Sequence, residues 1–265
     1  MRRVFGLALG AVVLVALAPA GWSQAVPADK RYHAGKVLVA DGFRHGLDAW
    51  RVEMERAPSG TAGTVTAGAG AGGTVTTKDG VLDINVPAGV TVWFRQELDG
   101  PVMIQYEATA ISAGGANDRV SDLNSFWMAT DPKSPRGDIF AGPRNRNRSG
   151  KFAEYNALDM YYVGLGGNGN TTTRFRRYIG DEVERPLLPQ NDLSVAEHPA
   201  KGIVANRTQR VTLIADGPLI QYWRDGENIF EMTDPQPYTR GWFGIRTTKN
   251  HMQVRNLRIV RLAGD

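Results

Sequence analysis

The sequence predicts an all-β chain built as two stacked antiparallel sheets. Three observations carry this. Apolar and polar residues alternate with period two over many short segments. Glycine-rich turns separate those segments. No stretch is amphipathic at helical spacing for long enough to make a substantial helix. Period-two alternation gives a segment one buried and one wet face, as in an antiparallel sheet.

The chain opens with Arg2 and Arg3, then an apolar run over residues 4–17 and small residues up to Ser23-Gln24-Ala25. A positive start, a short apolar stretch and a small-residue cleavage site make a secretory signal peptide, expected over residues 1–25; Ala18-Pro19-Ala20 is the other candidate cut. The run is shorter than the ~20 residues of a membrane span, and no later segment has one, so no membrane span is expected. The remaining residues 26–265, roughly 240 of them, fit one β-domain. The expected location is periplasmic or secreted.

Charge and composition exclude several classes. The formal net charge is +4. Without Arg2 and Arg3 it is about +2, because residues 1–25 hold no Asp or Glu. Such a mild surplus does not support a nucleic-acid partner. There are no cysteines, so disulfides, thiolate metal sites and cysteine nucleophiles are ruled out.

Trp50, Val52 and Met54 alternate with Arg51, Glu53 and Glu55. Residues 60–73 are rich in Gly, Ala and Thr and read as a loop or weak edge strand. Leu82, Ile84 and Val86 alternate with Asp83 and Asn85. Ile104, Tyr106, Ala108 and Ala110 alternate with Gln105, Glu107 and Thr109. Residues 113–122 and 131–152 read as long polar connections, a length often associated with function or mobility. Residues 180–207, with three prolines, are also irregular. Strands are expected at 209–216 and 254–262, and residues 219–232 read as a hairpin turning at Asp225-Gly226.

Two motifs carry a resemblance. One is Asp41-Gly42-Phe43 with Gly46-Leu47-Asp48-Ala49-Trp50. The other is Gly241-Trp242-Phe243-Gly244-Ile245-Arg246 with Val254-Arg255-Asn256-Leu257-Arg258-Ile259. This opening and closing pair resembles the concanavalin A-like lectin/glucanase superfamily. The resemblance implies a two-sheet antiparallel jelly-roll sandwich whose first and last strands are neighbours, here 41–54 against 254–262. Tyr161-Tyr162-Val163-Gly164, continuing through Asn168-Gly169-Asn170 to Tyr178, resembles an uncharacterised bacterial domain-of-unknown-function family related to YesU-like proteins of pectin-type gene clusters. The superfamily implies a polysaccharide or oligosaccharide partner. The E-x-D-x-x-E pattern of many jelly-roll glucanases is absent.

The segment 161–178 is the strongest binding candidate. Asn168 and Asn170 offer donors and acceptors. Arg174 and Arg176 share parity, so on a strand they share a face suited to clamping a carboxylate or sulfate. Tyr161 and Tyr162 must face opposite ways, so one should reach a cleft. His251, beside Asn250, is a candidate general base; His33, His45 and His198 are the other histidines. Trp127 and Trp242, with Trp93 and Trp223, are candidates for stacking on sugar rings, although most sandwich aromatics are core.

Glu154 and Asp159 have opposite parity and make a poor hydrolytic pair. Asp118, Asp122 and Asp138 are loop carboxylates that suit a structural Ca²⁺; no other cofactor or metal is expected. Arg144, Arg146 and Arg148 form a basic run, expected to be solvated or to attract an acidic glycan. These features point to an acidic, uronate-containing polysaccharide and a lyase. Arg174, Arg176 and Asn170 would neutralise the carboxylate, while His251, Tyr161 or Tyr162 moves protons. The alternatives are a non-catalytic carbohydrate-binding protein or a glycoside hydrolase of unfamiliar type.

Overall fold

The computed structural model describes residues 28–56 and 73–264. The expected signal peptide and nearly all of the 60–73 segment lie outside them. Along the chain run β1 (Tyr32–Asp41), β2 (Trp50–Met54), β3 (Thr74–Lys78), β4 (Val81–Val86), β5 (Val90–Phe94), β6 (Leu98–Asp99), β7 (Val102–Ala110) and β8 (Leu123–Thr130). There follow β9 (Asp159–Gly166), β10 (Thr172–Ile179), β11 (Asp192–Ser194), β12 (Gln209–Asp216), β13 (Leu219–Arg224), β14 (Glu227–Thr233), β15 (Arg240–Thr247) and β16 (Asn250–Gly264). Helical turns among the described residues are short, the longest being Gly142–Arg146.

Two antiparallel sheets result. The first has the order β14-β13-β12-β7-β16-β4-β3, with β1 also on β16. The second has the order β11-β10-β9-β8-β15-β5-β2, with β6 on β15. Inward side chains interdigitate: Ile84, Ile104, Tyr106, Val254 and Ile259 from the first sheet meet Trp50, Val92, Trp127, Tyr161, Phe175 and Phe243 from the second. This is the expected sandwich, and burial of these large apolar side chains drives it.

The terminal pairing is only partly as expected. The last strand does lie beside the first, with Asp41 opposite Leu257 and His33 opposite Ala263. That first strand is 32–41, a segment without clean alternation. Residues 50–54 belong to the other sheet and pair with β5. The turn of residues 42–49 carries the chain between sheets, where Asp41 accepts from both Phe43 N and Trp50 Nε1. The 219–232 hairpin forms as expected, with Asp225 and Gly226 both at positive φ, 51° and 84°, the conformation a tight two-residue turn requires.

The 131–158 excursion is not a solvated loop. It folds over the outer face of the second sheet and builds a second apolar layer. Ile139, Tyr155 and Leu158 pack there with Trp93, Phe126, Met160, Tyr162, Tyr178 and Trp242, and Phe140 and Phe152 lie at the margin. The outward-facing Glu53, Trp93, Trp242 and Arg246 are therefore buried.

Candidate functional site

The excursion leaves one part of that outer face uncovered. A pocket of about 340 Å³ lies over β8, β9 and β10, lined by Asn124, Tyr162, Gly164, Thr172, Arg174, Arg176 and Tyr178. Its walls come from Asp122 and Thr248, from Phe152 of the excursion, from Gly167 and Asn168 of the β9–β10 turn, and from Arg185. Parity assembles the floor: Thr172, Arg174, Arg176 and Tyr178 are alternate residues of β10, and Tyr162 and Gly164 of β9.

The β9–β10 turn is unusual. Gly166, Asn168, Gly169 and Asn170 all have positive φ, between 54° and 74°. Consecutive left-handed residues are tolerated by Gly and Asn and by few others, which accounts for the Gly-Gly-Asn-Gly-Asn composition. Asn170 Oδ1 accepts from Ile203 N at 2.7 Å and its Nδ2 donates to Ile203 O at 2.9 Å. Asn170 thus pins the turn and is not among the pocket-lining residues.

Tyr162 is the central side chain. It is 8% exposed and packs against Phe126, Phe152 and Tyr178. Its hydroxyl has no hydrogen-bond partner among the described residues. Burial pushes its phenol pKa up; the Tyr178 phenol and Asp122 carboxylate push the same way, against Arg246 and Arg176. At neutral pH it is therefore a proton donor. Asp122 sits at φ 57°. Its Oδ2 accepts from Ser121 Oγ and, at 2.7 Å, from Thr248 Oγ1, whereas its Oδ1 has only a 3.5 Å contact from Asn124.

Three arginines, Arg174, Arg176 and Arg185, line the same pocket. Arg174 Nε donates to Asp192 Oδ1 at 2.7 Å. Arg176 donates one N–H to the Arg185 carbonyl. Arg185 reaches Asn156 Oδ1 at 3.5 Å. With Asp192 paired to Arg174, the lining is net cationic.

Several expected site residues lie elsewhere. Tyr161, the parity opposite of Tyr162, faces the sandwich core. It donates to Asp234 Oδ2 at 2.7 Å, which also binds Arg177 Nε at 2.7 Å. Trp127 stacks on Phe175 in that core. Trp242 is 6% exposed beneath Phe140 and donates to Arg95 O. Neither indole is open to a sugar.

His251 is on the first sheet, and its strand neighbours Met252 and Val254 point into the core. Its ring bridges Asp118 and Asp83, each at 3.1 Å, on the face away from the pocket. The expected convergence of His251 with segment 161–178 does not occur. Asn250 is fully buried, donating to Ser121 O and Thr247 Oγ1. It supports the segment carrying Asp122 from behind.

The basic run is also resolved. Arg148 is not solvated: its Nε donates to Glu53 Oε2 at 2.8 Å, with both side chains 2% exposed. Glu53 Oε2 also accepts from Trp93 Nε1 and Tyr155 OH, each at 3.0 Å. Arg144 pairs with Glu182. Asp118 caps the 113–115 turn and Asp138 accepts from Phe140 N, while Asp122 serves the pocket. No group of three or more His, Asp or Glu suited to a metal occurs among the described residues.

Sequence reasoning did not place Asp122, Asn124, Phe152, Arg185 or Thr248 in the site, and it included Thr172 and Tyr178 in the candidate segment without singling them out. Thr172 and Tyr178 share parity with Arg174 and were open to detection. Phe152 and Arg185 come from loops and carry no local signal.

Solved structures share this architecture. A protein of unknown function with a galectin-like fold from Bacillus subtilis is 17% identical, with 88% of this chain and all of that one aligned at a TM-score of 0.62. LamA from Z. galactanivorans, solved in complex with laminaritriose and laminaritetraose, is 9% identical over 86% of this chain and 100% of its own, TM-score 0.53. Beta-agarase A from Zobellia galactanivorans is 10% identical over 93% and 98%, TM-score 0.51. At such identities the likeness is one of fold: a concanavalin A-like, galectin-like jelly roll. Residues 84–257 match the family described as a domain of unknown function, DUF6250, and the chain belongs to it. No curated protein matches.

Proposed function

We propose that the pocket takes an acidic, uronate-containing glycan and that the protein cleaves it by β-elimination. The observation that carries this is the meeting of three arginines with an unpartnered, protonated Tyr162 and the Asp122 carboxylate. Guanidinium groups neutralise a sugar carboxylate, which makes its α-proton at C5 removable. Asp122 Oδ1, the freer oxygen, accepts that proton. The electron pair forms the C4–C5 double bond, the C4–O bond breaks, and Tyr162 protonates the departing oxygen. The rings of Phe152, Tyr162 and Tyr178 offer apolar faces to the sugar's C–H groups.

The solved structures of similar fold, one in complex with laminaritriose and laminaritetraose and one a beta-agarase, support a carbohydrate ligand. The resemblance to YesU-like proteins of pectin-type gene clusters supports a uronate-rich one. The signal-like residues 1–25 support a periplasmic or secreted location, which cell fractionation tests. A hydrolytic reading has less support, because the pocket lining holds one carboxylate and the usual mechanisms use two.

Non-catalytic binding is the second reading, favoured by the absence of histidine from the pocket lining. One screen separates the two. The protein is incubated with uronate polymers and oligomers, and absorbance of the unsaturated product is followed. New absorbance supports elimination. Binding with neither absorbance nor new reducing ends supports the binding protein.

A further inference from the structure

The outer face of the second sheet is closed at one side by structure that cannot easily move. Arg148–Glu53 and Tyr155–Glu53 tie the excursion to β2. Arg246, 1% exposed, donates from β15 to the Gly150 carbonyl at 2.8 Å and to Thr91 Oγ1 at 2.9 Å. Its guanidinium lies 5.0 Å from the Phe152 ring centroid and 5.2 Å from that of Tyr155. Arg51 donates to the carbonyls of Asn145 and Arg146. Gly150 lies so close to the backbone of residues 53–55 that a β-carbon there would overlap it. Lifting the excursion would strand a buried ion pair and expose an aromatic layer, a change several interactions oppose together.

The pocket is therefore blocked across β15, β5 and β2. It is bounded along the strands by the pinned β9–β10 turn at one end and by Arg185 at the other. Accessibility rises toward the β10–β11 edge, where Arg174 and Asp192 have side chains 33% and 38% exposed. A cavity of about 340 Å³ is at the small end of the ~300–1,000 Å³ usual for small-ligand sites. That suits a mono- or disaccharide unit and not a stretch of polymer.

We infer that the pocket takes the end of a glycan chain, entering from the β10–β11 edge, and does not accommodate the middle of a polymer. This rests on the pocket being the glycan site, and it gives that site an exo mode of action. The excursion that fills the rest of the sheet face is the specificity element.

The test measures affinity by calorimetry for galacturonate, di-, tri- and hexagalacturonate and polygalacturonate, with chain-end concentration as the ligand concentration. A neutral disaccharide panel runs alongside. The expected result is affinity that levels off at the disaccharide, with hexamer and polymer binding no tighter per chain end. Where turnover occurs, short products should appear while polymer viscosity barely falls. Affinity that climbs more than tenfold from dimer to hexamer, or an early collapse of viscosity, overturns the inference. Failure of every uronate while a neutral disaccharide binds, with no gain from longer neutral chains, removes the acidic-glycan reading and leaves end-on binding standing. Failure of every ligand overturns both.

Discussion

Tyr162 and Gly164 face the pocket from one strand, and the Tyr162 hydroxyl occupies the space that a β-carbon on Gly164 would need. The phenol lies flat across the strand only because residue 164 has no side chain. Gly164→Ala should displace the ring. Overpacking of this kind destabilises by about 1–3 kcal/mol. Binding of galacturonate should weaken at least about tenfold, a difference of 1.4 kcal/mol. Calorimetry on folded variant checks this, and unchanged affinity would take Tyr162 out of the site.

Tyr162→Phe removes the unpartnered hydroxyl while keeping the ring. Turnover on a uronate substrate should fall by about 10²-fold or more, the usual order for a lost proton-transfer group. His251→Ala, on the opposite sheet between Asp83 and Asp118, should leave turnover within about twofold, as expected for a distant surface change. The reverse ranking would return His251 to the catalytic role expected from sequence.

Arg176→Ala should weaken binding to a uronate polymer about tenfold or more, because a charge-assisted hydrogen bond contributes roughly 1.5–3 kcal/mol. Neutral glucans should bind as before. Arg174 already holds Asp192, so Arg174→Ala should weaken uronate binding less. Paired titrations with both glycans decide; equal loss on both would remove Arg176 from carboxylate recognition.

Arg148→Ala leaves the Glu53 carboxylate buried without its closest cation. Breaking a buried pair in this way destabilises by about 3–5 kcal/mol. For a domain of this size even 3 kcal/mol lowers Tm by roughly 6–12 °C. Thermal unfolding measures it. A shift of a degree or two would mean that the excursion is held by its apolar contacts alone.

Asp234 supplies a pH-dependent clamp. Burial alone would raise its carboxyl, but hydrogen bonds from Arg177 and Tyr161 hold it below its ordinary 3.8. A lowered folded-state pKa stabilises above the unfolded value and is lost as pH falls through the folded one. Asp234→Asn should therefore be less stable than the parent by about 2 kcal/mol at pH 7. The gap should narrow below pH 3.8. Urea melts at neutral and acid pH compare the two; a gap independent of pH would exclude the ionic contribution.

Much of the fold was legible along the chain, because a sheet's inside–outside code is local. Alternation at 82–86 and 104–110 marked strands that the sandwich buries as expected. The same rule put Tyr161 and Tyr162 on opposite faces and Arg174 and Arg176 on one. The left-handed turn at 166–170 is built from glycines and asparagines, because backbone sterics act residue by residue.

Period two says that a face exists, but not what covers it. Glu53 and Trp93 read as wet or sugar-facing positions until residues 131–158 folded onto them, a contact between segments distant in the chain. His251 and Tyr162 lie on strands of equal promise, yet strand order sends them to different sheets. Which sheet a strand joins depends on pairing partners distant in sequence. For that reason the residue types of the candidate site were readable from the chain, while the pocket's walls and its blocked side arose only from the tertiary packing.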